Sequence, residues 1–220
     1  MHQIKKIFDG VFLVDGKLAT VNLDKGRSVY GEELVHSEKL EYRLWNPYRS
    51  KLGAAIANGL KKMEIRDGSR VLYLGAATGT TCSHVSDIIG EKGVLYCVEI
   101  SERNVRDLLK VCERRANMLP IFNDARKVEE YGEDVGKADV IYQDIAARDQ
   151  AEILLENCDL LKKGGYAYVA IKSQSIDVSR KPSEVYKEFL EKVSKKFSLL
   201  ESIDIMPYDK MHLFVVLQKN

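Results

Sequence analysis

Short apolar segments alternate with segments of helical periodicity from about residue 51 to the last residues of the chain. The predicted strands, which are almost entirely apolar, span residues 71–74, 94–98, 121–122, 138–142, 165–171, 199–205 and 213–217. The predicted helices span residues 51–62, 80–89, 102–117, 151–161 and 182–196. Apolar strands that alternate with helices indicate a parallel sheet covered on both faces. The alternation therefore predicts an α/β fold.

The last two predicted strands, 199–205 and 213–217, have no helix between them. A parallel crossover needs a dozen or more residues, so the final strand should be antiparallel to its neighbour. A Rossmann-like sheet of seven strands with an antiparallel last strand is the layout of class I methyltransferases, which use S-adenosylmethionine (SAM). We expect this methyltransferase domain over residues 51–220.

The first part of the chain has a different pattern. Two segments with β-branched residues, 11–14 and 17–23, flank Asp15-Gly16, and an Asp-Gly pair supplies the positive φ angles of a two-residue hairpin turn. Residues 4–8 are compatible with a further strand. We expect a small N-terminal β domain over residues 1–50.

The charge balance limits how the protein could bind a polyanion. Its 220 residues include 34 Lys and Arg against 33 Asp and Glu, a formal net charge of +1. Nonspecific affinity for nucleic acid grows with the number of phosphates neutralised, so a local patch or a partner would have to hold RNA or DNA. No segment approaches ~18 consecutive apolar residues, and residues 1–9 lack the apolar block of a secretion signal.

The cysteines and histidines indicate neither a disulfide framework nor a zinc site. The four cysteines, at positions 82, 97, 112 and 158, occur singly in apolar segments, and the four histidines are scattered. We therefore expect no bound metal and a cytoplasmic location, where thiols stay reduced.

The first candidate binding motif is Gly75-Ala76-Ala77-Thr78-Gly79-Thr80-Thr81, directly after the first strand of the sheet. Small residues there let backbone N–H groups and a helix N-terminus approach a ligand closely. A dinucleotide fingerprint would need glycine at Ala77 and Thr80, and no Walker Gly-Lys-Ser/Thr follows. For this motif alone, a tight turn without a ligand remains an alternative.

Carboxylates follow three successive strands. Glu99, Asp124 and Asp144 each lie at or just after the C-terminal end of a predicted strand. Doubly wound sheets bind ligands at that edge, where a carboxylate such as Glu99 can accept both hydroxyls of a ribose. Each carboxylate taken singly is equally compatible with a loop or cap role, but their common position predicts a site.

A further set of polar residues consists of Lys51, Asp144, Lys172 and His212. Lys172 ends the fifth strand, where lysine is uncommon, and His212 precedes the last strand. A side chain that reaches solvent and a packing histidine are the alternatives for these two residues. We interpret His84, on helix 80–89, as a packing residue.

Several stretches of the chain resemble the fibrillarin family, and the resemblance extends over essentially the whole sequence. They are Glu41-Tyr42-Arg43-Leu44-Trp45-Asn46-Pro47, residues 71–81, Tyr142-Gln143-Asp144 and Ile171-Lys172. Tyr73 is a specific feature, since general SAM methyltransferases usually carry an acid there. The chain lacks the Gly/Arg-rich N-terminal extension of eukaryotic members and so resembles the archaeal form.

The resemblance implies a 2′-O-methyltransferase that acts on ribosomal or transfer RNA, with SAM as cofactor. It implies the catalytic subunit of a box C/D ribonucleoprotein, whose partners are a Nop-domain scaffold protein, a kink-turn-binding protein and a guide RNA that selects the target nucleotide. Recognition by partners agrees with the net charge of +1.

The resemblance also implies site residues. The implied catalytic residues are Lys51, Asp144, Lys172 and His212. Besides Gly75 and Ala77 of the loop, the implied cofactor contacts are Thr80, Thr81, Glu99, Ile100, Asp124, Ala125, Asp144, Ile145, Ala146 and Ala147. Ala147 replaces a common glutamine of the family and Ile100 a frequent aromatic residue, so side-chain contacts should differ at these two positions.

A ribose 2′-OH is a poor nucleophile at neutral pH, so the enzyme must manage its proton. We expect Lys172 to take or steer that proton, with Lys51 as the alternative acceptor and Asp144 orienting Lys172. Like-charge repulsion from Lys51 would favour the neutral amine. His212 would hydrogen-bond in this network or position the ribose.

Other functions stay open on the sequence. Methyltransferases that act on an amine or a protein side chain often carry Asn-Pro-Pro-Tyr where this chain has residues 144–147. A noncatalytic SAM-binding assembly subunit is a second alternative, and a nicotinamide enzyme is a more distant one. The scaffold would dock on the helices around residues 96–117 or on the N-terminal β domain.

Overall fold

Five antiparallel strands form an N-terminal sheet in the computed structural model, which describes residues 2–220. The strands are β1 (Ile4–Phe8), β2 (Val11–Val14), β3 (Lys17–Val21), β4 (Leu34–Ser37) and β5 (Leu40–Leu44), in the order β1-β2-β3-β5-β4. Asp15 and Gly16 have φ angles of 49° and 80°, as the hairpin prediction requires. The sequence did not predict β4 and β5; in β5 the charged residues Glu41 and Arg43 occupy two of the three buried positions, which breaks the apolar pattern of a buried strand.

Seven strands form the second sheet. They are β6 (Arg70–Leu74), β7 (Val94–Glu99), β8 (Met118–Phe122), β9 (Ala138–Gln143), β10 (Leu161–Lys172), β11 (Phe197–Asp204) and β12 (His212–Lys219). Their order is β11-β12-β10-β9-β6-β7-β8. β6 to β10 are parallel, and β12 is antiparallel to both β10 and β11. The predicted seven-stranded sheet with an antiparallel last strand is confirmed.

Helices cover both faces of the second sheet. They are α1 (Lys51–Ala57), α2 (Thr80–Ile89), α3 (Glu102–Cys112), α4 (Val128–Val135), α5 (Gln150–Asn157), α6 (Ser173–Ile176) and α7 (Pro182–Val193). Side chains of α1, α2 and α3 pack in one apolar core, and those of α4, α5 and α7 pack in a second core on the opposite face. Burial of apolar area on both faces is the main stabilising contribution in such a fold.

Four predicted helices, 51–62, 102–117, 151–161 and 182–196, extend beyond the C-terminal ends of the observed α1, α3, α5 and α7. α1 ends at Ala57, because Gly59 adopts a φ of 91°, a left-handed conformation that terminates helices. α3 ends at Cys112, and the following Arg115 turns inward to pair with Asp87. α4 was not predicted, since its eight residues include four acids and a glycine and its apolar period is weak.

A buried polar cluster joins the N-terminal sheet to α2. The Asp87 carboxylate accepts from Arg43 Nη1 at 2.9 Å and Thr20 Oγ1 at 2.7 Å through Oδ2. Its Oδ1 accepts from Arg115 Nη1 at 2.6 Å and from the Leu23 N–H at 3.1 Å. Both carboxylate oxygens are therefore fully used, and the cluster ties the two sheets together.

His84 lies in the same interface and is fully buried. Its ring stacks on Trp45, with 4.6 Å between ring centroids, and its nitrogens contact Thr20 Oγ1 and Tyr30 Oη at 2.8 Å each. Burial, with two nearby arginines, holds the pKa of His84 well below its usual value, so the imidazole stays neutral. This environment agrees with a packing role.

Ser50 caps α1 by accepting a hydrogen bond from the Gly53 N–H at 3.2 Å. The division into domains at residue 50 stays a prediction.

All four cysteines are free and buried. Over residues 2–220, no helix has the length and apolar character needed to cross a membrane, and no group of three or more potential ligand side chains could hold a metal ion.

Candidate active site

The C-terminal ends of five parallel strands line one edge of the second sheet. Along this edge lie, in order, Lys172 of β10, Asp144 after β9, Gly75 after β6, Glu99 of β7 and Asp124 after β8. The chain proceeds from β6 to β7 and β8 on one side and then returns to β9 and β10 on the other. Gly75 and Asp144 therefore flank the point where the strand order reverses, which is where doubly wound sheets bind ligands.

Two lysines converge on Asp144. Lys172 Nζ lies 2.7 Å from Asp144 Oδ1 and donates to the Asp144 carbonyl oxygen at 2.8 Å. Lys51 Nζ lies 3.1 Å from the same Oδ1 and donates to Oδ2 at 3.3 Å. The exposed fraction of these three side chains is 20% or less, so solvent screens their charges weakly. The structure thus brings three of the four predicted catalytic residues together.

Asp209 connects the fourth predicted residue to this cluster. Asp209 Oδ2 lies 3.6 Å from Lys51 Nζ, and Oδ1 lies 2.7 Å from His212 Nδ1. His212 also pairs opposite Lys172 in the register of β10 and β12, so the two side chains lie on the same face of the sheet. The sequence did not single out Asp209, because a carboxylate three residues before a histidine in a loop is a common arrangement.

Two fully buried glutamines hold the turn that follows β9. Gln150 Nε2 donates to the Ile145 carbonyl at 2.9 Å, and Gln150 Oε1 accepts from the Lys172 N–H at 3.2 Å. Gln143 Nε2 donates to the Gln150 carbonyl at 2.7 Å. The glutamines therefore couple the turn to the backbone of Lys172. Gln143, at the end of an apolar strand, was the available sequence signal for this arrangement, whereas Gln150 gave none.

A cleft of about 290 Å³ follows this edge of the sheet, close to the lower size limit of small-molecule sites. The predicted residues that line it are Gly75, Ala77, Glu99, Ile100, Asp124, Ala125, Asp144, Ile145, Ala146 and Lys172. Asn104, Asn123 and Arg126 also line the cleft and were not predicted. Arg126 reaches from Asp124 to Asp149, and its hydrogen bonds to these carboxylates raise its pKa.

Glu99 is the buried carboxylate of this cleft, with an exposed fraction of 7%. Its Oε2 accepts from the Ala77 N–H at 2.7 Å and its Oε1 from the Ser101 N–H at 2.8 Å. Asn104 Nδ2 also donates to Oε1, over a long distance of 3.5 Å. An ionised carboxylate has about four acceptor positions, so Oε2 keeps one free position and Oε1 has one that is only weakly filled, and a ribose diol could use both. A buried diol acceptor beside a glycine that permits close approach fits the nucleoside part of SAM.

Three residues of the predicted cofactor set lie off the wall of this cleft. Thr81 is buried, and its Oγ1 donates to Ser50 Oγ at 3.0 Å, which links α2 to α1. Thr80 lines a separate cleft toward the N-terminal sheet. Ala147 packs against the apolar core on the α5 side of the sheet. Cofactor contacts from these residues stay predictions.

Tyr73 stacks on Tyr142 with 4.4 Å between ring centroids, and both rings are buried. Burial raises the pKa of each phenol well above its usual value, and the nearby Asp144 raises it further. Both phenols are therefore neutral. Tyr73 supplies packing next to the charged cluster, at a position where a carboxylate would add negative charge.

A larger cavity, of about 870 Å³, lies between the N-terminal sheet and α1. Its wall is largely apolar and includes Ile7, Phe8, Leu13, Trp45 and Leu60. None of the four predicted catalytic residues lines it. Because the titratable cluster lies at the smaller cleft, we assign the candidate active site there.

Gly75→Ala is expected to weaken SAM binding by at least about tenfold. Gly75 has a φ of 85°, and an added Cβ would lie 2.9 Å from the Asp144 carbonyl oxygen, so the loop and the turn after β9 would have to separate. Titration calorimetry with SAM measures this effect. Gly136→Ala is the matched control: its φ is 62° with nothing within 4 Å of the added Cβ, so SAM affinity should not change. Equal SAM affinities in the two variants would contradict the prediction.

The chain matches the family model described as Fibrillarin over residues 2–220. It is 49% identical over 226 residues to the fibrillarin-like rRNA/tRNA 2′-O-methyltransferase of Pyrococcus furiosus, with 100% of each chain covered. Aeropyrum pernix fibrillarin in complex with natively bound S-adenosyl-L-methionine superposes with a TM-score of 0.89 at 41% identity, covering 99% of this chain and 100% of that chain. The fibrillarin of a fibrillarin/Nop5p complex gives a TM-score of 0.91 at 38% identity, covering 98% and 100%. On this evidence the chain belongs to the fibrillarin family.

Proposed function

We propose that this protein transfers a methyl group from SAM to the ribose 2′-oxygen of ribosomal or transfer RNA, as the catalytic subunit of a box C/D ribonucleoprotein. The observation that carries this proposal is the convergence of Lys51 and Lys172 on Asp144 at one end of the cleft. The named activity of the Pyrococcus furiosus relative and the SAM bound to Aeropyrum pernix fibrillarin support it.

The residues of the cleft would hold SAM. Glu99 would accept the ribose hydroxyls, Gly75 would allow close approach of the backbone, and Asp124 with Ala125 would contact the base. SAM supplies a methyl group on a positively charged sulfur, which makes the methyl carbon electrophilic. The anionic side chain of Asp144 at the end of the cleft would favour that positive charge.

The charged cluster would prepare the RNA hydroxyl for attack. The hydroxyl must be held in line with the methyl carbon and must lose its proton during the reaction. Because Lys51 and Lys172 share Asp144, their ammonium groups are positioned before RNA arrives. Preorganised charges of this kind typically contribute about 10²–10³-fold to a rate.

Selection of the target nucleotide would depend on partners. With a net charge of +1, the chain has no overall field to hold RNA. A related fibrillarin forms a complex with Nop5p, which supports a Nop-domain scaffold as one partner. A kink-turn-binding protein and a box C/D guide RNA complete the proposed assembly, and a cytoplasmic location is part of the proposal.

Methyl transfer from labelled SAM to a guide-paired RNA, with the scaffold and kink-turn proteins present, tests this function. Alkaline hydrolysis cannot cleave after a 2′-O-methylated nucleotide, so the expected label lies in a hydrolysis-resistant dinucleotide. Lys172→Ala, run in parallel, should lower the rate by about 10²-fold or more.

The other results would contradict the proposal in distinct ways. Label in single nucleotides would place the methyl group on a base. Label in protein would indicate a methyltransferase that acts on side chains. An assembled complex that binds SAM but transfers no label would indicate a noncatalytic assembly subunit.

A further inference from the structure

The contacts of His212 Nδ1, a hydrogen bond and an ion-pair contact, determine which ring nitrogen carries a proton. His212 Nδ1 lies 2.8 Å from the Lys210 carbonyl oxygen and 2.7 Å from Asp209 Oδ1. A backbone carbonyl and a carboxylate both accept hydrogen bonds and donate none, so Nδ1 must be the protonated nitrogen. In the neutral ring the free lone pair therefore lies on Nε2, which has no hydrogen-bond partner among residues 2–220.

Lys172 has the opposite environment. Its Nζ contacts two acceptors, the carboxylate and the carbonyl oxygen of Asp144, so Nζ is engaged there as a hydrogen-bond donor. The sequence-based expectation that repulsion from Lys51 keeps Lys172 neutral took account of only one carboxylate, that of Asp144. Asp209 supplies a second carboxylate, 3.6 Å from Lys51. Two carboxylates balance two ammonium groups, so the cluster contains a compensating charge for each lysine.

We propose that His212 Nε2 accepts the proton of the ribose 2′-OH and that Asp209 is its positioning residue, while Lys172 acts as a hydrogen-bond donor. This inference rests on the proposed function. His212 lies opposite Lys172 in the sheet register and its side chain is 19% exposed, so Nε2 can meet a substrate beside the cluster. A carboxylate that orients an imidazole and stabilises the imidazolium is a recurring solution for proton abstraction.

The step balances in atoms and charge. The 2′-O–H bond breaks and its proton moves to Nε2, while an electron pair of the 2′-oxygen forms the bond to the methyl carbon. The bond from that carbon to sulfur breaks, and its electron pair stays on sulfur. One positive charge disappears from sulfur as one appears on His212, and the Asp209 carboxylate is positioned to stabilise it.

Turnover of the assembled complex tests the pair. Asp209→Asn should lower kcat by about 10²-fold, with the KM for RNA changed less than about threefold, and Asp209→Glu should recover activity to within about tenfold. His212→Ala should lose about 10²–10⁴-fold, and the double variant Asp209→Asn/His212→Ala should be no slower than His212→Ala alone. Multiplied losses in the double variant would show that the two residues act independently and would overturn the inference.

Chemical rescue separates the two candidate bases. Added imidazole should restore the activity of His212→Ala, whereas methylamine should not restore that of Lys172→Ala. Rescue of Lys172→Ala by methylamine, with none of His212→Ala by imidazole, would assign the proton to Lys172. A His212→Ala variant with wild-type activity would also overturn the inference, and inactivity of the wild-type complex would instead count against the proposed function.

The tautomer can be measured without any activity. In the full chain labelled with ¹⁵N-histidine, the ring nitrogen shifts of the neutral His212 should report a proton on Nδ1, and Asp209→Asn should increase the share with a proton on Nε2. A neutral His212 with its proton on Nε2 in the wild-type chain would contradict the inference, whatever the enzyme assay shows.

Discussion

Replacing Asp144 with asparagine is expected to lower the rate of methyl transfer by about 10³-fold or more. The neutral amide leaves Lys51 and Lys172 next to each other without the carboxylate that both contact. The two ammonium groups then repel, and Lys172 loses the 2.7 Å contact that orients it. Single-turnover rates of the assembled complex, at saturating SAM and RNA, measure the effect on the chemical step.

Asp139→Asn is the matched control for this substitution. Asp139 lies at the opposite end of the same strand, β9, and pairs with Lys162 at the surface. The Asp139→Asn variant should transfer methyl groups at a rate within about twofold of wild type. An Asp144→Asn protein that is folded by circular dichroism and retains more than about a tenth of the wild-type rate would contradict the assigned role of Asp144.

Replacing Asp87 with asparagine should lower the free energy of unfolding by roughly 3–5 kcal/mol, because one partner of a buried ionic cluster is lost. The Asp87 carboxylate accepts four hydrogen bonds, two at each oxygen. In asparagine an NH₂ group replaces one of these oxygens, and it would face the two hydrogen-bond donors that the oxygen now accepts from. For a chain of 220 residues this loss corresponds to a fall in Tm of about 10 °C.

Asp107→Asn is the corresponding control, because Asp107 forms an exposed ion pair with Lys110 at 2.7 Å on α3. Exposed pairs contribute little to stability, so we expect a change in Tm of no more than about 2 °C. Differential scanning calorimetry of both variants provides the comparison. Equal shifts in the two proteins would show that the Asp87 cluster does not join the two sheets in the way its contacts indicate.

Local chemistry accounts for the parts of the fold that could be predicted from the chain. The Asp15-Gly16 pair needs positive φ angles and therefore specifies a hairpin turn. Apolar runs of strand length between helical segments specify the order of strands and helices in the second sheet. Because parallel strands end at a common edge, the sequence predicts that Glu99 and Asp144 lie in one cleft.

Contacts between distant polar residues could not be predicted in this way. Asp209 was missed because its role depends on two partners, Lys51 and His212, that reach it from different parts of the fold. Gln150 was missed for the same reason, since its side chain bonds to the backbone of Ile145 and of Lys172. The hydrogen bond from Thr81 to Ser50 is a further contact between distant residues that the sequence does not indicate, and a cofactor contact of Thr81 stays a prediction.

The difference between the features that could be predicted and those that could not follows from the range of the interactions. Hydrophobic periodicity and turn geometry depend on a few neighbouring residues, so they can be recognised in the amino-acid sequence. The charge state of the active site depends on Lys51, Asp144 and Asp209, which lie on three separate segments and meet only when the sheet has assembled. Folding therefore establishes which lysine shares which carboxylate and which nitrogen of His212 is left free to accept a proton.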